Sequence, residues 1–414
     1  MSSRRLDGGE LELGGGLEVL LAAALEGMPA GARLEVVTRS RSTALELPSW
    51  ARAAGHGTVA ERTPPGGPYA VEIERGPVAR VLADPLPGPG PAPQPRGDGE
   101  LHTADLRSAN AVPALADAAA GFAPLGAVAE RGAPAFRWTL NERDALWADD
   151  VAELTEQASA AQWDASRDVP WEAALGLPEF MERAVSQVVT FIAQNEYAAL
   201  YVPAGFLAGV NPAYPEMLMW LGSHVHDEAR HVEVFTKRSL IGGQPSYALA
   251  ATELSLHTLL DERDFSGAAL LLNVLGEGTF LDLLRFVEHH APDAATRAAA
   301  ALAHRDEVRH VHFGISHVRR HIATDPDQRR ALIGAAERRA EKLTEMSGLS
   351  PLLTEGLTVM AAGSLQPAEL ARGAADVRSL MQTMEDNRIK RLRAAGFDHS
   401  DARYLSDLHT PNLM

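Results

Sequence analysis

At 414 residues, with 46% hydrophobic and 22% charged residues, the chain is long enough for two packed domains and too apolar to be disordered. A formal charge of −17 argues against a surface that tracks nucleic-acid phosphates, which needs clustered Lys and Arg. The absence of cysteine removes disulfides, thiolate metal sites, iron–sulfur clusters and cysteine nucleophiles together, so any metal must be held by His, Asp or Glu.

In chain order, LELGG, LEVLLAAALEGM, RLEVVTRS, ALELPSWARAAGH, GTVAERT and YAVEIERG predict a small βαβαββ domain over residues 1–83. The opening MSSRRLDGGELELGGG has no apolar core of signal-peptide length, and LEVLLAAALEG is interrupted by Glu18 and too short to span a bilayer. A cytoplasmic protein that binds neither membrane nor nucleic acid is therefore expected. DPLPGPGPAPQPRGDG comes next; its prolines fix φ and remove amide donors, so no helix or central strand runs through it, and residues 84–100 read as a linker. Residues 101–177 are mixed and end in AQWDASRDVPW, a packed lead-in to the helical region. Residues 178–414 are helical in pattern, with breaks at Asn211-Pro212, Ala291-Pro292 and Asp325-Pro326. The expected fold class is mainly α, a long helical domain after a small α/β domain.

One motif is written twice in the helical region: HVHDEARHVEVF from His224 and AHRDEVRHVHFG from Ala303. Residues three apart in a helix differ by about 60° around the axis, so Glu228 with His231, and Glu307 with His310, can each share a metal. A zinc-protease HExxH is excluded by spacing, because His226 and His231 are five apart and His304 and His310 six apart. Two Glu-x-x-His helices call for two more helices that each give one carboxylate. Glu196 lies in the apolar run VTFIAQNEYAALYV, thirty-two residues before Glu228, and Glu277 lies in LLLNVLGEGTFLDLL, thirty before Glu307. Neither is cheap to bury unpaired. Glu253, Glu262 and Glu288 are rivals, but they have polar neighbours and break the matched spacing. Four buried carboxylates would repel each other unless two divalent cations neutralised them. Oxygen and imidazole donors without sulfur suit iron or manganese better than copper(I) or structural zinc.

On these residues, Glu196 and DEARH, then Glu277 and DEVRH, the chain resembles the ferritin-like di-iron carboxylate superfamily, the group of ribonucleotide reductase small subunits and di-iron oxygenases. The likeness covers roughly residues 178–324 and implies a ferritin-like four-helix bundle with flanking helices. It implies Glu196, Glu228, His231, Glu277, Glu307 and His310 as metal ligands, and two iron ions, or manganese with iron, as cofactor. It also implies Asp227 and Asp306 as acceptors for the ring N–H of a ligating histidine on the facing helix, Asp227 for His310 and Asp306 for His231, with Arg230 and Arg309 bracing the carboxylates. Residues Leu11–Arg75 carry a second likeness, to TusA/SirA-type sulfur-carrier domains. The carrier cysteine at the start of the first helix is missing, since that region reads GGGLEVLL, so a scaffold without the transfer chemistry is implied.

Other residues have a plain reading beside the functional one. His224, His304, His317 and His321 either extend the ligand face or are satisfied core and surface histidines; the second is the default, and His224, one turn before Glu228, is the strongest candidate for an extra ligand. Tyr197 and Tyr201 either sit near the metals or pack as core aromatics. RRALIGAAERRAEKL near Arg329 is most simply a solvated basic stripe. The function expected is a di-iron oxygenase or oxidase that uses dioxygen on a small organic substrate by N-oxygenation, hydroxylation or desaturation. No flavin, nicotinamide or iron–sulfur motif is present, so electrons come from an external reductase or ferredoxin, or from the substrate itself. A homodimer is expected. The alternative is a metal-storage bundle or a radical-storing redox subunit.

Overall fold

A computed structural model describes residues 4–62, 67–76, 92–107, 111–127, 129, 133–343 and 350–409. The chain forms two compact units, residues 1–89 with 128–134 and residues 90–127 with 135–414. Residues 84–91 of the expected linker lie outside the described residues, and 92–100 contain no helix or strand.

The first unit is β1 (Arg4–Gly9), α1 (Leu17–Glu26), β2 (Arg33–Thr38), α2 (Arg41–Ala53), β3 (Gly57–Arg62) and β4 (Tyr69–Glu74). The sheet order is β1-β2-β4-β3, with β1 parallel to β2 and the other pairs antiparallel. The βαβαββ order is the expected one, but β1 lies ahead of LELGG. In that segment Gly14 and Gly16 take φ of 83° and 108°, conformations cheap only for glycine, and the chain turns into α1 instead of extending. Leu34, Val36 and Ile73 from the sheet meet Leu17, Leu21 and Leu47 from the helices in a closed core.

In the second unit the lead-in contains, among the described residues, α3 (Val151–Ala160) and four short 3-10 turns, and its Leu146, Trp147, Val151 and Leu154 pack with Tyr214, Trp220 and Phe313. Then come α4 (Glu179–Leu207), α5 (Pro215–Ile241), α6 (Ala250–Leu260), α7 (Phe265–His290), α8 (Ala294–Thr324), α9 (Asp327–Leu343), α10 (Pro351–Ala362), α11 (Pro367–Ala394) and α12 (His399–His409). The predicted breaks fall between α4 and α5, α7 and α8, and α8 and α9. Pro215 opens α5 at a position where its missing N–H costs nothing, and Asp293 caps α8 by accepting from the Thr296 amide at 2.7 Å.

The central bundle is two antiparallel pairs, α4 with α5 and α7 with α8, joined by a crossover that contains α6. The fully buried Arg238 guanidinium ties three of these helices together: it donates to Glu182 at 2.6 Å, Asp293 at 3.0 Å and Thr296 at 2.6 Å. α7 is long and apolar enough to cross a membrane, yet 89% of its apolar window is buried inside this unit. Its residues Leu270–Glu277 wind as a π-helix, an irregularity frequent at functional sites because it widens the helix by one residue per turn.

Candidate metal centre

The two DExRH segments invert the usual polarity of a helix. Asp306, Glu307, Arg309 and His310 are buried while Val308 is 47% exposed, and Asp227, Glu228, Arg230 and His231 are buried in the same way. Such a stripe folds inward only if its charges meet partners. Two groups form: Glu196, Glu228, His231 and Glu307, and His224, Glu228, Glu277 and His310; in each, one ligand atom per residue lies within 4.8 Å of the others. α4 and α7 give one glutamate each, and α5 and α8 give a Glu-x-x-His each, the donor pattern of the ferritin-like carboxylate bundles.

Glu228 and Glu307 stand between the histidines. Glu228 Oε1 is 2.8 Å from His310 Nδ1 and its Oε2 is 3.2 Å from His231 Nδ1. Glu307 mirrors it, with Oε1 3.5 Å from His231 Nδ1 and Oε2 3.4 Å from His310 Nδ1. Both imidazoles thus turn Nδ1 inward. His224 Nε2 lies 3.1 Å from Glu277 Oε1 and 3.5 Å from Glu228 Oε1, which places it in the second group.

The outward nitrogens meet the aspartates across the bundle. His310 Nε2 is 3.4 Å from Asp227 Oδ2, and His231 Nε2 is 3.3 Å from Asp306 Oδ2. Arg230 Nη2 donates to Asp227 at 2.6 Å and Asp306 at 2.8 Å, while Arg309 Nη2 donates to Asp227 at 2.9 Å and Asp306 at 2.7 Å. The arginines therefore brace the aspartate pair, and through it the imidazoles. Burial alone would raise Asp227, but its bond to His310 and the charge of Arg309 hold it at about 2; Asp306 is likewise held far below the carboxylate range against burial, by His231, Trp163 and Arg230.

Electrostatics test whether these residues fit a metal pair. Burial, then repulsion from Glu228, pushes Glu196 well above the carboxylate range; burial and Glu307 push Glu277 up. Burial opposes a charge on His231 and His310, yet the carboxylates around them win and raise both well above the ordinary range. Glu196 Oε1 and both Glu307 oxygens are buried without a hydrogen-bond partner among the described residues, and Glu228 Oε1 and His310 Nδ1 face only each other on the same inward surface, at 2.8 Å. Four glutamates and two aspartates against two arginines leave a charge that two divalent cations cancel with the histidines neutral. The residues present fit two metal ions.

Three residues lie outside the sequence expectations. Trp163 donates from Nε1 to Asp306 at 2.6 Å, and the Arg230 guanidinium stacks 4.6 Å over its ring. Gln162 joins Arg230 to Asp227 from the same loop. Asn273 Nδ2, one turn before Glu277 on the π segment, donates to Glu277 Oε2 at 2.7 Å. AQWDASRDVPW showed a packed segment but not which helix it reaches.

Other expected residues lie elsewhere. Tyr197 and Tyr201 are 48% and 57% exposed, which corrects their placement near the metals or in the core: they follow Glu196 by one and five residues, about 100° and 140° around α4. His317 is a satisfied core histidine between Ser266 Oγ (2.9 Å) and the Trp147 carbonyl (3.0 Å), and His321 bonds the Asp144 carbonyl. His304 and the rival glutamates 253, 262 and 288 enter neither group.

On the His224 side, a cavity of about 20 Å³ lies among Phe206, Leu221, Phe265, Asn273 and Phe313. It has room for one or two water-sized molecules.

No family model and no curated protein matches the chain. Among solved structures the chain is similar to an R2-like ligand-binding oxidase with aerobically reconstituted Mn/Fe cofactor, 19% identical over 60% of this chain and 93% of that one, with a TM-score of 0.45. It is similar also to a point mutant of such an oxidase with aerobically reconstituted Fe/Fe cofactor, 18% identical over 60% of this chain and 94% of that one, again at 0.45.

Proposed function

We propose that the chain is a cytoplasmic non-haem dimetal oxidoreductase that uses dioxygen to oxidise a small organic substrate by N-oxygenation, hydroxylation or desaturation. The carrying observation is the pair of ligand groups that share Glu228, with Glu307 facing both inward imidazoles. Two iron ions, or manganese with iron, would supply there a redox-active pair able to reduce dioxygen. Glu196, Glu228, His231 and Glu307 would hold one ion, and His224, Glu228, Glu277 and His310 the other.

Asp227 and Asp306 fix each imidazole with its N–H on Nε2, which keeps Nδ1 free as a donor atom and raises its basicity. Asn273 steadies Glu277 from the cavity side. The small apolar cavity beside His224 excludes bulk water and admits the reacting end of a substrate after its phenylalanines shift. Electrons come from an external reductase or ferredoxin, and the working protein is a homodimer. The first unit, whose carrier likeness lacks the cysteine, acts as a scaffold.

The experiment is anaerobic reduction of the iron-loaded protein followed by dioxygen, with oxygen uptake and optical spectra recorded. Stoichiometric uptake without iron accumulation supports the proposal. Iron deposited as a mineral far beyond two ions per chain supports storage instead.

A further inference from the structure

A second polar centre lies on the far face of the π segment. Arg339 on α9 is only 5% exposed, yet its partners among the described residues are two hydroxyls: Nε donates to Thr258 Oγ1 and Nη2 to Ser255 Oγ, both at 3.0 Å. No carboxylate of the described residues pairs with it, and burial pushes its pKa down to about 10. A guanidinium so placed keeps its charge at neutral pH without a counter-ion. Nη1 and the second hydrogen of Nη2 remain on one edge, the two-pronged edge that matches a carboxylate.

That side chain lines a cavity of about 150 Å³ between α6, the start of α7 and α9. Its other basic groups are Arg263, Arg338 and Lys342, and its acids are Asp261 and Glu262. Both acids are taken: Lys342 meets Asp261 at 2.7 Å and Arg338 meets Glu262 at 3.2 Å. Cations are therefore in excess here, in a chain of formal charge −17. Leu271 and Ala335 give the cavity an apolar wall, which inorganic phosphate would waste and a short alkyl chain would use.

We propose that this cavity binds the carboxylate of a small organic acid, with the Arg339 guanidinium as its two-pronged partner, Thr258 and Ser255 holding that guanidinium in place, and Leu271 and Ala335 against the acid's carbon chain. The site is separate from the metal ligands. Leu271 lies on the π segment that also carries Asn273 and Glu277, so the two sites share one stretch of backbone.

Calorimetric titration of the full chain with butyrate, butan-1-ol and inorganic phosphate, with and without metal, tests this. One butyrate is expected to bind per chain in both metal states, with neither butan-1-ol nor phosphate replacing it. Arg339→Gln should abolish binding, and Arg339→Lys, which keeps the charge but not the fork, should weaken it about tenfold. Should Arg339→Gln fail to fold, Arg339→Lys and the wild-type selectivity decide. Absent butyrate binding, preference for phosphate, binding only when metal is present, or undiminished binding in a folded Arg339 variant would each overturn the proposal.

Discussion

Asp306 shows how much one side chain outside the ligand set can carry. It accepts from His231, Trp163, Arg230 and Arg309 at once. Asp306→Ala should leave His231 free to rotate and weaken metal binding by about 10- to 100-fold in chelator competition. Glu307→Ala should bring the stoichiometry below two, because Glu307 faces both imidazoles. Unchanged affinity in Asp306→Ala would reduce the aspartates to partners of the arginines. The six clustered residues were legible because they recur at fixed spacing: Glu196, Glu228 and His231 are echoed by Glu277, Glu307 and His310. Trp163 and Asn273 occur once each, in segments whose contacts only the fold reveals. His317 gives a pH prediction with a definite sign. Burial lowers it to about 4 from an ordinary 6.5, so its neutral form is the one that fits. The stability this provides is fully present above pH 6.5 and is lost as pH falls through 4, about 3 kcal/mol in all. Urea titrations should show that loss in the wild type and a flatter profile in folded His317→Gln; parallel profiles would contradict it.

At the scale of elements, the join between α7 and α8 sets the second ligand group. A Cβ at Gly314 on α8 would stand 2.5 Å from Asn273 Cβ and 3.3 Å from Val274 Cγ2, so the glycine lets the π segment approach α8. Gly314→Ala is expected to cost about 1–3 kcal/mol by overpacking, despite the better helix propensity of alanine. Because Asn273 holds Glu277, the same change should also lower metal affinity. Thermal melts and chelator competition measure the two effects, and a more stable variant with unchanged affinity would contradict the packing argument. The helix of α7 was legible from its length and apolar run, but its π turn was not. LLLNVLGE is buried all round, so no polar stripe marks the change of period. The tyrosines show the opposite hazard: they stand in an apolar run, yet the helical period turns Tyr197 and Tyr201 about 100° and 140° around α4 from Glu196, toward exposure.

For the whole molecule, composition already narrowed which chemistry was open. Without cysteine, and with −17 formal charge, hard cations on carboxylates were the simplest way to bury so many acids. The helical breaks at proline fell where the structure turns, and the βαβαββ order followed from alternating periods. The exposed glycine turns before α1 displaced only the first strand. Arg339 escaped sequence reading because it sits in RRALIGAAERRAEKL, where a basic stripe reads as solvated; this arginine alone of that run turns inward to 5% exposure.

The central claim is that the α4, α5, α7 and α8 bundle holds two metal ions around Glu228 and Glu307. Iron analysis with Mössbauer and EPR spectroscopy of the oxidised, iron-loaded protein tests it most directly. Two irons per chain are expected, magnetically coupled and silent in EPR. One iron per chain, or an EPR signal of isolated ferric ions that accounts for all the metal, would contradict it.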